Sequence, residues 1–321
     1  MKNIPIECRV DPFFPTHATV ISEERAKRPM RKVIRVRDIK ADQEEKERCF
    51  FEPHNAHLTP QPQEQHEELA FDDYCPVSFD NICPFAVEHR VNCYAPHERK
   101  YPELLRCRDF ENYLSISVKN ARTILKKGYS EMFSFINIGL AAGGTQAHPH
   151  SQDGIRFFEG SSLESRERMF FSLLENDVDD PFKHYFQYLQ KQSLKCLETE
   201  EIFMTAPYAP RFPDQVDLYV KPACANFIRL QGPTRHHLAK GLYHAVQFLT
   251  KKREVTDLNI VAHMDSLESS SGYRLHFHIL PRNKNIFASL ESEGIYVVDT
   301  YPEETAREFR EHYSSLAENE R

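Results

Sequence analysis

The chain has 321 residues, 40% of them hydrophobic and 28% charged, which is typical of a soluble globular protein with one large domain or two ordinary ones. Its net charge of −7 argues against a nucleic-acid-binding surface, no apolar run is long enough to span a membrane, and the N-terminus lacks a signal-peptide core. The eight cysteines are not spaced as in a small secreted protein, so they indicate reduced thiols, and the composition predicts a cytoplasmic enzyme.

The first 66 residues show little periodicity. A short strand is predicted at 18–22, followed by the basic run R-A-K-R-P at 25–29, which by itself indicates a solvated surface. Residues 49–66 are rich in proline, histidine and glutamine and predict an ordered loop. Cysteine and histidine concentrated in such a loop suggest a bound metal that replaces a missing core.

The rest of the chain predicts one order of elements twice: a long helix, a strand, a loop and a strand carrying His-x-His. This order predicts an α+β fold of two tandem domains, residues 1–180 and 181–321, with antiparallel sheets and helices packed on one face. The predicted helices are 104–127, two within 161–199 that are separated at Asp180-Pro181, 234–252 with Thr234 as N-cap, and 302–316. The predicted strands are 132–138, the one carrying His148-Pro149-His150, 201–205, 216–220, 226–230, 258–262 and 273–280.

The segment 137–152 carries the clearest chemical pattern. Gly139, Gly143 and Gly144 cluster there, although the whole chain has only ten glycines. Such a loop can bend sharply and direct backbone N–H groups at an anion. On the strand that follows, His148 and His150 point to the same face, because residues two apart on a strand do so.

His150 is the candidate nucleophile. A neutral imidazole whose Nδ1–H is bound by an acceptor presents Nε2, and beside a phosphate-binding loop its target is phosphorus. Gln152 lies on the same face and can donate to a phosphate oxygen, but it cannot act as an acid or base for water. That favours transfer over hydrolysis. From spacing alone, a structural zinc pair formed by His148 and His150 is equally well supported.

The pattern N-x-G-x-x-x-G-x-T-x-x-H-P-H-x-Q closely resembles the active-site signature of the galactose-1-phosphate uridylyltransferase family of the histidine-triad superfamily. The resemblance covers nearly the whole chain. It extends through R-A-K-R-P at 25–29, C-F-F-E at 49–52, F-D-N at 79–81, C-Y-A-P-H at 93–97, P-E-L at 102–104, A-P-Y at 206–208, F-P at 212–213 and L-H-F-H at 275–278.

The resemblance implies two tandem histidine-triad-like domains, a homodimer and a role in galactose metabolism. The implied reaction is ping-pong transfer of UMP from a UDP-sugar to a sugar 1-phosphate through a covalent nucleotidyl-His150. The residues that would bind nucleotide and phosphate, together with Gln152, are Arg25, Arg28, Asn81, Asn137, Gly143, Gly144 and Thr145. Glu291 stands where the family has a sugar-contacting glutamate, but Leu290 replaces the preceding aromatic residue, which leaves the sugar open.

The resemblance also implies metal sites. The ligands of a structural zinc would be Cys49, Glu52, His97 and His148, with Glu52 in place of the family's second cysteine. The ligands of a second zinc or iron ion would be His263, His276, His278 and a carboxylate, Glu164 or Glu167. The same three histidines are equally consistent with a core or active-site role without a metal.

Three other functions remain as alternatives. A nucleotide-sugar or dinucleoside-polyphosphate phosphorylase would use the same histidine with inorganic phosphate as acceptor. A catalytically silent, metal-stabilised homologue would bind nucleotide without turnover. A hydrolase is less favoured, because Gln152 occupies the position of a third histidine.

Overall fold

The computed structural model describes residues 7–13, 18–21, 39–155, 167–168, 171–172, 174, 179–282 and 294–319. Four residues with predicted roles lie outside these ranges: Arg25, Arg28, Glu164 and Glu291. The helices are α1 (Ile39–Arg48), α2 (Cys107–Lys126), α3 (Pro181–Lys191), α4 (Gly232–Lys252) and α5 (Pro302–Asn319). The strands are β1 (Glu7–Val10), β2 (Ala18–Ile21), β3 (Glu64–Gln65), β4 (Val77–Asp80), β5 (His89–Cys93), β6 (Met132–Ile138), β7 (His150–Ile155), β8 (Lys195–Glu198), β9 (Ile202–Thr205), β10 (Val216–Val220), β11 (Leu258–His263), β12 (His276–Pro281) and β13 (Ile295–Val298).

A ten-stranded antiparallel sheet forms the centre of the fold, in the order β3-β4-β5-β7-β6-β11-β12-β10-β9-β8. Each half contributes to this sheet three strands that precede a long helix and two that follow it, and the halves meet where β6 pairs with β11. The predicted repeat is therefore present. The two expected sheets are joined edge to edge into one, and the boundary at residue 180 stays a prediction.

Helices α2 and α4 pack against each other and cover one face of this sheet. Strand β6 shows the alternation that produces a covered and an open face. Met132, Ile136 and Ile138 are buried on the helix side, whereas Phe135 and Asn137 are only half-buried on the other side. The open face is therefore available for polar chemistry.

The open face is covered at one end by α3. Phe182 and Tyr185 of α3 pack against Phe203 and Tyr219, which the sheet contributes from β9 and β10. The expectation that helices lie on one face only is thus incomplete. Strands β1, β2 and β13 form a separate small sheet in which β2 and β13 are parallel.

Several predicted boundaries were wrong for physical reasons. The segment 226–230 is a 3-10 turn at Phe227–Arg229 rather than a strand, because the Asn226 side chain accepts a hydrogen bond from Arg229 N–H. Helix α4 begins at Gly232, so Gln231 rather than Thr234 holds the N-cap position, without a side-chain capping hydrogen bond, and the Thr234 hydroxyl donates to Glu201 at 2.6 Å. The helix predicted to extend to 199 ends at Lys191, and β8 follows it. Among the described helices, none is long and apolar enough for a membrane crossing.

Candidate active site

The glycine loop after β6 is anchored by the second half of the chain. Gly139 has φ +83°, and a Cβ added there would lie 2.1 Å from Asp257 Oδ1. The same carboxylate oxygen accepts a hydrogen bond from Ala141 N–H at 3.0 Å. Only glycine fits this close approach, so Asp257 fixes where the loop leaves the strand.

The N–H groups of the loop close its own turn. Ala142 and Gly144 donate to the Gly139 carbonyl at 3.2 and 2.9 Å, and Gly143 donates to the Leu140 carbonyl at 3.0 Å. This differs from the expected use of the Gly143 and Gly144 N–H groups as phosphate donors, because a hydrogen bound within the turn is not directed at a ligand. The glycines shape the loop.

Asn137 is the last residue but one of β6, next to this loop, and its orientation is set by Asn259. The Asn259 amide donates to Asn137 Oδ1 at 2.7 Å and to the Ala142 carbonyl at 2.8 Å. With the oxygen of Asn137 bound, its NH₂ group remains as the donor for a ligand. Asn259 was not among the predicted site residues, although it lies directly opposite Asn137 where the two halves of the sheet pair.

His150 begins β7 and is 6% exposed. Its Nδ1–H donates to the His148 carbonyl at 2.8 Å, which leaves Nε2 with a free lone pair in the neutral ring. Burial lowers the pKa of His150 to about 4, against the opposing effect of the carbonyl acceptor, so the ring is neutral near pH 7. The Phe51 ring packs edge-on against it at 5.3 Å.

Gln152 lies two residues further along the same strand face and is half-buried. Its Oε1 is 2.8 Å from His89 Nε2 and 3.3 Å from Asn81 Nδ2. Two separately predicted site residues, Asn81 and Gln152, are thus brought together. His89 was missed, because it belongs to no motif and the strand that it begins was not predicted.

Four residues that the sequence predicts as zinc ligands meet beside His150. The ligand atoms of Cys49, His97 and His148 lie within 4.8 Å of one another, and all three residues are buried. The carboxylate of Glu52 approaches His148 Nδ1 to 3.3 Å, and Cys49 Sγ lies 3.8 Å from the same nitrogen. Within the described part of the chain, neither ring nitrogen of His97 has a hydrogen-bond partner.

A buried imidazole without a partner is costly, and a bound ion would satisfy it. One thiolate, one carboxylate and two imidazoles form a donor set that zinc accepts, so these residues fit the ion. Without it, burial raises the pKa of the Cys49 thiol, and burial together with neighbouring His148 lowers the pKa of His97 to about 4. The other nitrogen of His148 lies 3.5 Å from the Tyr74 hydroxyl, which leaves Nδ1 facing the cluster.

The second predicted set, Glu167 with His263, His276 and His278, also comes together, and its ligand atoms lie within 4.8 Å of one another. The carboxylate of Glu167 is 2.8 Å from His263 Nδ1, 3.6 Å from His276 Nε2 and 3.8 Å from His278 Nε2. All four residues are buried. Three imidazoles and one carboxylate suit zinc or iron.

The outer nitrogens of two of these histidines have acceptors. His276 Nδ1 donates to the Arg274 carbonyl at 2.9 Å, and His278 Nδ1 contacts the Asp217 carboxylate at 2.7 Å. Such outer partners are typical of metal-binding histidines. Asp217 was not predicted, because its distance from the histidines in sequence gives no signal.

The two chemical centres lie on the same face of the sheet. Strand register aligns Gln152, Phe135, Val261 and His278 in one row across β7, β6, β11 and β12. Three strand spacings separate the ends of this row, or about 14 Å. The second cluster is therefore too far from His150 to contact the same phosphorus atom.

A cavity of about 360 Å³ opens next to the glycine loop. Asn137, Thr145 and His148 contribute to its lining, but His150 does not, so it extends beside the candidate nucleophile rather than over it. A neighbouring cavity of about 450 Å³ is lined by Cys49, His97 and Thr145. Thr145 is exposed and borders both.

No family model matches the chain, and no curated protein matches its sequence. Solved structures do match its fold. An ADP-glucose phosphorylase from Arabidopsis thaliana with bound ADP-glucose has a TM-score of 0.76 and 18% identity, covering 96% of this chain and 99% of that one. A GalT-like protein from the same plant has a TM-score of 0.74 and 16% identity over 95% and 98% of the two chains. A uridylyltransferase has a TM-score of 0.64 and 17% identity over 96% and 99%. The α+β fold predicted from the sequence resemblance is thereby confirmed.

Proposed function

We propose that the protein is a nucleotidyltransferase that moves a nucleoside monophosphate from a nucleotide sugar through a covalent intermediate on His150. The observation that carries this proposal is the hydrogen bond from His150 Nδ1–H to the His148 carbonyl. A neutral imidazole has one N–H, so the bond leaves Nε2 as the nucleophilic atom.

In the proposed first step, His150 Nε2 attacks the α-phosphorus of the donor. The bond from phosphorus to the bridging oxygen breaks, and the sugar 1-phosphate leaves with the electron pair. The ring then carries positive charge, and its Nδ1–H remains bound to the His148 carbonyl, which stabilises that charge. In the second step an acceptor oxygen attacks phosphorus, and the Nε2–phosphorus bond breaks.

Two side-chain amides are proposed to bind the transferred phosphate. Asn137 and Gln152 each have an oxygen held by other residues, which leaves their NH₂ groups as donors for the charge that develops on phosphate oxygens. Arg25, Arg28 and Thr145 are proposed as further phosphate contacts, and Glu291 as the sugar contact. Gln152 cannot activate water, which favours transfer over hydrolysis.

The leading form of the proposal is the galactose-1-phosphate uridylyltransferase type of reaction. UMP would pass from a UDP-sugar to a sugar 1-phosphate, in a cytoplasmic homodimer. The sequence signature around His150 and the likeness of the fold to a uridylyltransferase support it. The likeness to an ADP-glucose phosphorylase favours a second candidate, in which inorganic phosphate accepts the nucleotidyl group.

Metal binding would support this chemistry structurally. Cys49, Glu52, His97 and His148 are proposed to hold zinc, and the ion would tie the segment 49–52 to the strand that carries His150. Glu167, His263, His276 and His278 are proposed to hold a second zinc or iron ion.

The test is a donor panel read by intact mass. Purified protein is incubated with UDP-glucose, UDP-galactose or ADP-glucose, and peptide mapping locates any nucleotide adduct. We expect an adduct on His150 and none in His150→Gln. Galactose 1-phosphate or inorganic phosphate is then added separately. The compound that removes the nucleotide from the protein is the acceptor.

Three results would contradict the proposal. Absence of an adduct with every donor would exclude covalent transfer. If nucleotide binding then persists equally in His150→Gln, the protein is a silent binding homologue. Rapid release of free UMP or AMP without an acceptor would identify a hydrolase.

A further inference from the structure

Two side chains are held in fixed orientations by the loop that joins β4 and β5. Asn81 Oδ1 accepts a hydrogen bond from Cys83 N–H at 2.8 Å, which directs the NH₂ group of Asn81 away from that amide. His89 Nδ1 accepts a hydrogen bond from Phe85 N–H at 3.3 Å. Because that nitrogen is an acceptor, the single hydrogen of the neutral ring must be on Nε2.

Both groups direct their hydrogens at one atom. His89 Nε2 lies 2.8 Å and Asn81 Nδ2 3.3 Å from Gln152 Oε1, and the two donors are 3.3 Å from each other. An amide oxygen has two lone pairs, so both are used here. In the flipped amide, the NH₂ group of Gln152 would face two other donors and lose both hydrogen bonds.

The His89 ring is also held by packing. It is 4% exposed and meets the Phe85 ring at 4.3 Å and the Phe133 ring at 5.4 Å, both nearly edge-on. Gly154 makes room for this arrangement, because a Cβ there would lie 2.5 Å from the Phe133 ring. The donor nitrogen of His89 thus has a defined position before any ligand arrives.

We propose that His89 is a positioning residue that fixes the Gln152 amide with its NH₂ group toward the substrate phosphate. This inference rests on the proposed function, because it assigns a task to Gln152 in the transfer from donor to His150. A donor whose orientation is set in advance stabilises the developing charge without reorganisation. Among the described residues, none accepts a hydrogen bond from Gln152 Nε2, so the group is available to a ligand.

The experiment measures the rate of adduct formation on His150 in single turnovers, with UDP-glucose and ADP-glucose as donors. His89→Phe keeps a ring between Phe85 and Phe133 but removes the donor. His89→Gln restores an N–H donor. We expect the rate constant to fall about ten-fold in His89→Phe, equivalent to about 1.4 kcal/mol, with most of the rate recovered in His89→Gln and little change in donor affinity.

A Gln152→Leu background distinguishes positioning from general support of the fold. In the Gln152→Leu background, His89→Phe should lower the rate constant by less than about two-fold further, because the side chain that His89 orients is gone. An equal ten-fold loss in both backgrounds would overturn the inference, and so would a wild-type rate in His89→Phe. Melting temperatures of all variants show whether they are folded.

Nitrogen-15 NMR of the His89 ring separates this inference from the proposed function. We expect the Nε2–H tautomer in the free protein, and the Nδ1–H tautomer would overturn the inference whether or not the protein turns over. If the wild type shows the Nε2–H tautomer but forms no adduct, the proposed function fails, and with it the catalytic task given to His89.

Discussion

The two His-x-His strands of this molecule have the same place in the repeat but different partners. In β7, His150 Nδ1 donates to a backbone carbonyl at 2.8 Å, whereas in β12 His278 Nδ1 contacts the Asp217 carboxylate at 2.7 Å. The difference comes from the neighbouring strand. Cys93 of β5 lies opposite His150, and Asp217 of β10 lies opposite His278.

This one difference gives the two imidazoles opposite electrostatics. Burial lowers the pKa of His150 to about 4. Burial also lowers the pKa of His278, but the adjacent Asp217 carboxylate outweighs it, and the net direction is upward. A duplicated unit can therefore provide a neutral nucleophile in one half and a histidine paired with a carboxylate in the other.

The largest effect is expected on adduct formation, when His150 and His278 are each substituted. His150→Gln should lower adduct formation by about 10⁴-fold or more, because it removes the attacking nitrogen. His278→Gln should form the adduct at a rate within about ten-fold of wild type, because three strand spacings, or more than about 14 Å, separate His278 from His150. Intact mass after incubation with the nucleotide donors measures both. Equal losses in the two variants would remove the functional distinction between the halves.

The two buried ligand clusters can be compared by metal content and stability. Cys49→Ser should remove one zinc ion per chain, and Glu167→Gln should affect only the ion of the second cluster. Each should lower the melting temperature by about 5 °C or more, because charged or unpartnered groups are left buried. Elemental analysis and thermal unfolding, with and without chelator, measure these changes. If chelator removes all metal from the wild-type protein and its melting temperature does not change, neither cluster holds a structural ion.

Asp257 of the second half contacts the glycine loop of the first half, and disrupting this contact should cause a smaller loss of stability. Gly139→Ala should cost about 2 to 4 kcal/mol in unfolding free energy, because it combines positive φ with a clash against Asp257. Gly128→Ala is the matched control, since Gly128 has φ +86° but nothing within 4 Å of an added Cβ, so only the cost of about 1 kcal/mol for the conformation remains. Denaturant unfolding measures both. Equal costs would show that the Asp257 contact contributes nothing.

Sequence reasoning identified what is periodic or forms a motif. It located α2 and β6 to within a few residues, and the family resemblance grouped Cys49, Glu52, His97 and His148. It missed α1, whose exposed surface gives little apolar period. It also missed the residues that orient others, His89, Asp217 and Asn259, because their roles depend on strand register. Register joins positions far apart in the chain, and the apolar alternation of one strand shows which face a residue occupies but not which residue of another strand lies opposite it.

Substitution of Asn259 should have the smallest effect on adduct formation. It tests whether the two halves contribute to one site. The Asn259 amide is one of the groups that hold Asn137 Oδ1, so Asn259→Ala should free Asn137 to rotate and slow adduct formation about five-fold, the worth of one hydrogen bond of about 1 kcal/mol. Asn259→Asp should be slower still, because its carboxylate would repel Asn137 Oδ1 and favour the flipped amide. In an Asn137→Ala background both substitutions should lose most of their effect. Single-turnover rates on His150 measure the series, and equal losses with and without Asn137 would show that Asn259 acts only on the Ala142 carbonyl of the loop.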